Sequence, residues 1–560
     1  MNIITDRIPP ETHNKWIGID TELSNMKQKH LHRPNGDFEL MSVAIDEDVY
    51  MINSTEKIIP TLANIKDNWW VFMNAKFDIT QLRRWADIPP RNRLWDVMLI
   101  EKILFGGYYD TFNLGDITRR HLHFHMEKDL QKSFLGEEIT KEQLTYSAMD
   151  AYVLPKIAEK QKQLTTKDDF NIWMNIDLPA MWAFMDFIGF AIDVDKWKDL
   201  ALKNKTKEQQ IKQELPFNPS SNGIKGQAVT FYRKHGFTNI KSNTEKEITK
   251  FINQYPNTKA AEYALKVLEY KKAGTYSSKY GDKFLDYVED DNGVPVIVCN
   301  YWITNAETGR TAATDPPMQG VPKRETLEFR ECFIARPDHS LIIADYSAQE
   351  VFVAAHQSQD KALIEVCNSD EDVYVASARL ILGKEITKKD PLRDEMKPLV
   401  LGANYGMSKY GVAKKLGCSL EEAEEIIEKR IRAFPRLQEY LNAQIKSKNK
   451  VKTPAGRTIH LNHYTSQAER NALNGPVQGG AADCAKKSLA NLHRNWFANF
   501  PIRFSCVEFT HDELGLDVPN EYAQDIAKYT EKTLIDTANE MFPGMKFRAD
   551  AHITDNWAGK

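Results

Sequence analysis

Asp20 and Glu22 close the run Trp16–Ile17–Gly18–Ile19–Asp20–Thr21–Glu22, whose apolar start reads as a short strand. The strand's side-chain period of two puts both carboxylates on one face, which ordinary packing rarely wants. Asp78 follows a second apolar run, Trp69–Met73, through Asn74–Ala75–Lys76–Phe77. Asp150 lies in a helical stretch where Tyr146, one turn earlier, shares its face. Four acids brought together from three separate elements repel one another unless cations neutralise them. A hydrolytic site holding two metal ions explains them; the bland alternative is a set of solvated acids on an α/β domain.

Two further acids lie far apart in the chain. Leu341–Ile342–Ile343–Ala344 is an apolar, β-rich run ending on Asp345, and Tyr346–Ser347–Ala348–Gln349–Glu350 leads into a helical pattern. An acid at the end of a buried strand is held at the rim of a cleft. Cys506–Thr510 reads as another strand, with His511–Asp512–Glu513 as the tight turn of a hairpin that returns through Leu514–Val518. Asp345 and Asp512 could together hold two Mg²⁺ ions, which sit roughly 3.5–4 Å apart when they clamp the attacking and leaving oxygens of a phosphoryl transfer. Two acids suffice, because Mg²⁺ completes its shell with water and substrate phosphates.

At this point the residues resemble a known family. Asp345-Tyr346-Ser347-x-x-Glu350 and His511-Asp512-Glu513 are similar to the carboxylate motifs of family A DNA polymerases, the group of bacterial DNA polymerase I and many phage replicases. Between them, Arg393-x-x-x-Lys397-x-x-x-Leu401-Gly402-x-x-Tyr405-Gly406 resembles the family's fingers helix. Three motifs in the family's order are far more specific than any one of them. Asp20, Glu22, Asp78, Tyr146 and Asp150, with Leu94–Met98 between, resemble the proofreading 3′–5′ exonuclease attached to these polymerases. The resemblance implies an α/β multidomain chain, with a ribonuclease H-like exonuclease domain over residues 1–165 and a right-hand polymerase over 170–560. Within the latter it implies a thumb near 196–290, a palm near 295–357 and 480–560, and fingers near 358–479.

The resemblance also implies roles. Asp20, Glu22, Asp78 and Asp150 would ligate two metals, and Tyr146 would orient the attacking water. Asp345, Asp512 and the backbone carbonyl of Tyr346 would hold two more, with Glu513 in support. Arg310, in Thr308–Gly309–Arg310–Thr311, would touch the primer end and the minor-groove edge of the nascent pair. Acceptors there lie in similar places for all correct pairs, so one Arg can test pair shape. Glu350 would crowd the sugar 2′ position. Arg470, Asn474 and Gln478 share one helix face and would contact primer–template, as would His511. In the fingers helix, which Asp390 can cap and Pro391 can start, Arg393 and Lys397 would take the triphosphate and its developing charge. Leu401 would meet the sugar and base, and Tyr405 the templating end. Three positions depart from the family: Leu401 replaces Phe or Tyr; Tyr374 replaces a phosphate-binding His, and its phenol would still bind the nucleotide by hydrogen-bonding to phosphate; and Pro398 sits inside the helix, where a bend is expected.

The chain has 560 residues, 42% hydrophobic and 27% charged, with a net charge of −4. That leaves room for several domains and neither announces nor excludes nucleic-acid binding. Six scattered cysteines without C-x-x-C spacing read as reduced thiols of a cytosolic protein. No apolar run is long enough to span a membrane, and the start lacks the order of a secretion signal, so a cytoplasmic monomer is expected, in the host cytoplasm if phage-encoded. The 5′-nuclease domain of bacterial polymerase I has no counterpart before the exonuclease motifs, which suits a phage replicase or a trimmed bacterial enzyme, and a role in phage DNA replication is expected. The expected function is template-directed DNA synthesis from dNTPs on a primer 3′-hydroxyl, with two Mg²⁺ ions per site, Mn²⁺ as a substitute, and proofreading. The expected partners are primer–template DNA, dNTPs and replisome proteins (helicase-primase, single-strand binding protein, processivity factor) that no motif identifies. Two readings compete. A single-subunit RNA polymerase shares palm and fingers but uses neither Glu350 nor an exonuclease. A nuclease or DNA-binding protein on a polymerase scaffold conflicts with retention of every catalytic acid.

Overall fold

The alternating run around Asp20 becomes a strand in the computed structural model, which describes all residues except 28–29, 31, 127–132, 137, 324–325, 405–406, 448, 462–467 and 560, and the side chains of 401, 403 and 404. The chain divides into two compact units. The first comprises Met1–Ile188, Cys299–Gln319 and Ile342–Ile553; the second comprises Gly189–Val298, Gly320–Leu341 and Thr554–Lys560.

In the first unit, β1 (Asn2–Ile4), β2 (Trp16–Ser24), β3 (Asp37–Ile45), β4 (Asp48–Ile52), β5 (Trp69–Phe72) and β6 (Leu94–Asp96) form one mixed sheet in the order β1-β4-β3-β2-β5-β6. β2 and β3 pair antiparallel, whereas β2, β5 and β6 run parallel. This is the ribonuclease H-like arrangement that the motifs imply. The parallel strands are short and apolar, as strands covered on both faces must be. Helix α1 (Ala75–Leu82) follows β5, and helix α2 (Lys141–Leu164) packs on the sheet. Thr140 and Gln143 close a capping box at the start of α2, each satisfying a backbone N–H of the other. Gly18 sets how near α2 comes: a Cβ there would stand 2.0 Å from the Ala151 carbonyl oxygen. Without a side chain at Gly18, α2 lies directly over β2.

A second sheet in this unit consists of β7 (His339–Tyr346), β8 (Cys506–Thr510), β9 (Glu513–Pro519) and β10 (Ala549–Thr554), ordered β8-β9-β7-β10. Leu341–Ala344 of β7 are fully buried, as the apolar run predicts. β8 and β9 form the expected hairpin, with Thr510 opposite Glu513 and His511–Asp512 as the turn. Around this sheet lie helices α3 (Gln349–Ser358), α4 (Val373–Leu382), α5 (Pro391–Asn404) and α6 (Ala468–Asn499). Asp390 caps α5 by accepting from the Leu392 N–H at 2.9 Å, and the helix continues through Pro398. The polar segment Lys160–Asp169 reads as a helix end leading into a linker; α2 does end there, at Leu164, but a new helix starts at Lys167 in place of the linker. Thr166 and Asp169 form a capping box, and the chain passes from Lys167–Ile172 through a π-helical turn, Trp173–Asp177, into the helix Leu178–Met185.

The second unit is mostly helical, with Val194–Glu214, Gln227–Lys234, Glu245–Gln254 and Lys259–Lys279, and a sheet of Phe190–Ala191, Val294–Ile297 and Val288–Asp291. Val229, Tyr232, Phe237, Ile248 and Val267 are fully buried in its helical core. Trp197 stacks on Phe284 at 4.4 Å between ring centroids.

Candidate functional site

β2 presents Asp20 and Glu22 side by side, and α2, drawn in over Gly18, sets Asp150 next to them. Single carboxylate oxygens of Asp20, Glu22 and Asp150 lie within 4.8 Å of one another. Asp78, on the first turn of α1, is 3% exposed and accepts from the Thr21 N–H at 3.1 Å and its hydroxyl at 2.7 Å. Burial and mutual repulsion raise the proton affinity of these acids. Asp20 is pushed well above the usual carboxylate range by burial and by Glu22, Asp150 and Asp78. Glu22 rises to about 8 through burial, Asp150 and Asp78. Asp78 rises to about 7 through burial, in spite of its bonds from Thr21. Tyr146 bonds to Asp150, and burial together with the surrounding acids keeps its hydroxyl protonated. Oxygen donors crowded in this way suit hard divalent cations. The acids open onto a cleft of about 1320 Å³.

Asp96 is a residue that sequence reasoning noticed but gave no role. It is fully buried and caps the helix Val97–Phe105 through the Leu99 N–H at 3.0 Å. It also accepts from the Ala75 N–H at 2.7 Å, at the start of α1. One carboxylate thus fixes the loop that delivers Asp78. Burial lifts it to about 6, against the pull of these backbone N–H groups. Lys76 was also passed over. Its ammonium donates 2.6 Å bonds to Asn300 Oδ1 and the Tyr301 carbonyl, and burial lowers its pKa to about 8.

At the second sheet, Asp345 is half-buried near the end of β7, and Asp512 is half-buried in the hairpin turn. β9 adjoins β7: a Cβ on Gly515 would stand 3.3 Å from Ile343 Cδ1. Burial raises the pKa of the Tyr346 and Tyr374 hydroxyls; the Asp512 charge adds a smaller push in the same direction at both, and the Arg393 charge opposes the rise at Tyr374. The Tyr346 hydroxyl is tied to Ser488 at 2.6 Å and to the Leu534 carbonyl at 2.7 Å. Glu513 is fully buried. His511 is exposed and holds a left-handed φ of 62° in a two-residue turn, a backbone conformation that favours glycine or asparagine.

Several expected contact residues already hold one another. Arg310 pairs with Glu350 at 2.6 Å. Arg393 pairs with Asp372 at 2.8 Å, and its guanidinium lies 5.4 Å from the Tyr374 ring. Asp372 also caps α4 through the Tyr374 and Val375 N–H groups. Against the cost of burial, the Arg393 pairing holds Asp372 below the usual carboxylate range. Tyr374, expected to bond to phosphate, is 4% exposed, so little of its side chain is open to a ligand. Lys397 is half-buried one turn along α5. The Leu401 side chain and Tyr405 lie outside the described residues. On α6, Arg470 is exposed, and between Ala472 and Ala482 only Asn474 and Gln478 escape full burial. These three therefore share the accessible face expected of them.

Comparison with known proteins finds a match for each acid site. Residues 196–559 match the sequence profile of DNA polymerase family A, and residues 11–165 match that of a 3′–5′ exonuclease. DNA polymerase I of Chloroflexus aurantiacus is 27% identical over 443 residues, covering 74% of this chain and 46% of that protein. DNA polymerase I of Aquifex aeolicus is 24% identical over 598 residues, covering 97% and 96%. The chain spans about half the length of the first curated relatives it matches. Among solved structures, the POL domain of Pol1 from M. smegmatis, in complex with DNA primer-template and dNTP, has a TM-score of 0.81 at 21% identity, covering 98% of this chain and 96% of that one. That likeness shows a shared fold.

Proposed function

Because this chain belongs to DNA polymerase family A, we propose that it extends a primer 3′-hydroxyl with dNTPs on a DNA template and removes mispaired ends by 3′–5′ exonucleolysis. The observation that carries this reading is the pair of acid sites on one scaffold. One is the cluster of Asp20, Glu22 and Asp150 with Asp78 beside it; the other is Asp345 and Asp512 on adjoining elements next to Tyr374 and Arg393. The first set would hold hard divalent cations, and so would Asp345, Asp512 and the Tyr346 carbonyl, with Mg²⁺ in both and Mn²⁺ as a substitute. Bound there, such ions lower the pKa of a water or a 3′-hydroxyl and neutralise phosphate charge.

The chain's own residues supply the rest. Tyr146, protonated and bonded to Asp150, orients a water against the scissile phosphate. Lys397 and Arg393 meet the triphosphate, with Asp372 orienting the Arg393 guanidinium. Leu401 and Tyr405 take the sugar, base and templating end. Arg310, steadied by Glu350, presents its remaining N–H groups to the minor-groove edge, while Glu350 crowds the 2′ position and Glu513 supports the turn from within. Arg470, Asn474, Gln478 and His511 line the primer–template path. The bounds given for palm, fingers and thumb belong to the same proposal, and the helical second unit supports the thumb.

Extension and degradation of a labelled primer–template with Mg²⁺ and dNTPs test this, beside Asp345→Ala and Asp20→Ala. Wild type should extend, Asp345→Ala should only degrade, and Asp20→Ala should only extend. A wild type that degrades but never extends would reduce the protein to a nuclease on a polymerase scaffold.

A further inference from the structure

Tyr301 bonds to elements that carry both acid sites. It is 3% exposed on the strand Asn300–Trp302, which pairs antiparallel with Ala312–Thr314. Its carbonyl accepts from Lys76 Nζ at 2.6 Å, and the same ammonium donates to Asn300 Oδ1 at 2.6 Å. Lys76 stands two residues before Asp78 on the first turn of α1. At the other end of the side chain, the Tyr301 hydroxyl accepts from the Phe509 N–H at 3.0 Å. Phe509 lies in β8, three residues before Asp512. β8 is an edge of its sheet, so its outward-facing backbone groups have no neighbouring strand to bond to. At Phe509 both are satisfied from the Tyr301 side: the hydroxyl takes the N–H, and Gln319 Nε2 donates to the carbonyl at 3.1 Å. Gln319 in turn accepts at 3.2 Å from the N–H of Ala313, the residue opposite Tyr301.

The ring between these bonds is clamped. It stacks on Phe184 at 5.0 Å between centroids and meets Phe187 edge-on at 5.2 Å, and Phe184 packs edge-on against Phe509 at 5.4 Å. Burial pushes the hydroxyl pKa well above its ordinary value, so the group stays neutral and serves the Phe509 N–H as an acceptor. A side chain packed in this way transmits a displacement rather than absorbing it. We propose that Tyr301 is a positioning residue for both sites, the middle of a strut that runs from Lys76 through Tyr301 to Phe509 and fixes the helix of Asp78 to the hairpin of Asp512. Energetic coupling between distant sites is carried by such chains of packed side chains and hydrogen bonds. A change at the nuclease end of the strut is therefore felt at the polymerase hairpin.

This inference rests on the reading of two activities, and amide hydrogen exchange on the full chain, which needs no turnover, separates the two. Lys76→Met removes the ammonium at the nuclease end. It should speed exchange in β8 about threefold to tenfold, the worth of one buried hydrogen bond. It should also lower kcat for primer extension by a similar factor while the KM for dNTP stays unchanged. Lys76→Arg, which can still donate to both oxygens, should restore most of both. Tyr301→Phe keeps the ring and loses the bond to Phe509. It should reproduce the loss, and adding Lys76→Met to it should cost little more, because residues in one chain of contacts do not act additively. Exchange in the helical core of the second unit should keep its wild-type rate in every variant; a rise there as well would mean general loosening and would overturn the strut. A Lys76→Met chain that loses degradation alone, with β8 exchange as in wild type, would make Lys76 a local prop of Asp78. Fully additive losses in the double variant would also sink the proposal. If wild type never extends a primer while Lys76→Met still loosens β8, the strut stands and only the synthesis reading is lost.

Discussion

Asp20, Glu22 and Asp78 hold protons in the folded chain at pH values where a free carboxylate has long lost them, and this gives the nuclease site a measurable signature. A folded-state pKa raised above the unfolded value means that the folded chain binds more protons in the window between the two. Without metal, the contribution of these acids to stability is complete below about pH 4 and is lost as the pH rises through the folded values of about 7 for Asp78 and about 8 for Glu22. A divalent cation competes with those protons and removes the mutual repulsion. The rise in melting temperature from chelator to Mg²⁺ should therefore be small at pH 5.5 and larger at pH 8, and Asp20→Asn should shrink the pH 8 value. Equal shifts at both pH values in calorimetry would show that Mg²⁺ acts elsewhere. At the second site the residue-scale lesson is orientation by a partner. Arg310 and Arg393, expected to touch DNA and triphosphate, are held by Glu350 and Asp372, and a guanidinium with five N–H donors is oriented by one carboxylate without being used up by it.

At the scale of elements, close approach does the positioning, and Gly18 is the sharpest case. Any Cβ at Gly18 meets the Ala151 carbonyl, which is backbone and cannot swing aside. Gly18→Ala should lift α2 from β2, cost about 1–3 kcal/mol as overpacking does, and carry Asp150 away from Asp20 and Glu22. A displacement near 1 Å can cost about a hundredfold in rate, so exonuclease activity should fall by about that factor while primer extension persists. Full nuclease activity in Gly18→Ala would show that α2 tolerates the shift. Elements of this kind were legible where a local pattern wrote them: the alternation around Asp20, the apolar run before Asp345, the hairpin at His511, and the Asp390–Pro391 start of α5. The segment around Thr165 misread as a linker because its polar residues, Thr166 and Asp169, serve as caps. Partners remote in sequence were not legible. Asp372 reaches Arg393 across 21 residues and Lys76 reaches Asn300 across 224, and no periodicity records such pairs. Tyr374 stands out in the sequence as a departure, yet only the packing shows that it is buried with its ring 5.4 Å from the Arg393 guanidinium.

Across the first unit as a whole, one buried charge network ties together segments that belong to different motifs. Asp177, Asp483, Lys486 and Arg457 are all at most 2% exposed. Arg457 donates to both Asp177 oxygens at 2.9 and 3.0 Å and to Asp483 at 2.8 Å, and Lys486 also bonds to Asp177. Thr453 donates to the other Asp483 oxygen at 3.0 Å, and Thr304 reaches Asp177 at 3.2 Å. Two acids and two bases balance, and although burial opposes it, Arg457 and Lys486 hold the Asp177 pKa below the usual range. The network joins the π-helical turn after the exonuclease segment, the turn Thr453–Arg457, helix α6, and the Thr304 stretch that lines the nuclease cleft. Removing Arg457 would leave Lys486 alone against two buried carboxylates, and breaking a buried pair in this way costs about 3–5 kcal/mol. Arg457→Ala should therefore lower the unfolding temperature of the first unit and depress extension and degradation together, because the network positions α6 and the cleft wall at once. Arg457→Lys should recover part of the stability, as a charge without the planar fork satisfies only one acid. If Arg457→Ala keeps the wild-type melting temperature but loses extension alone, Arg457 acts at the polymerase site directly, and the view of the network as a joint between segments falls.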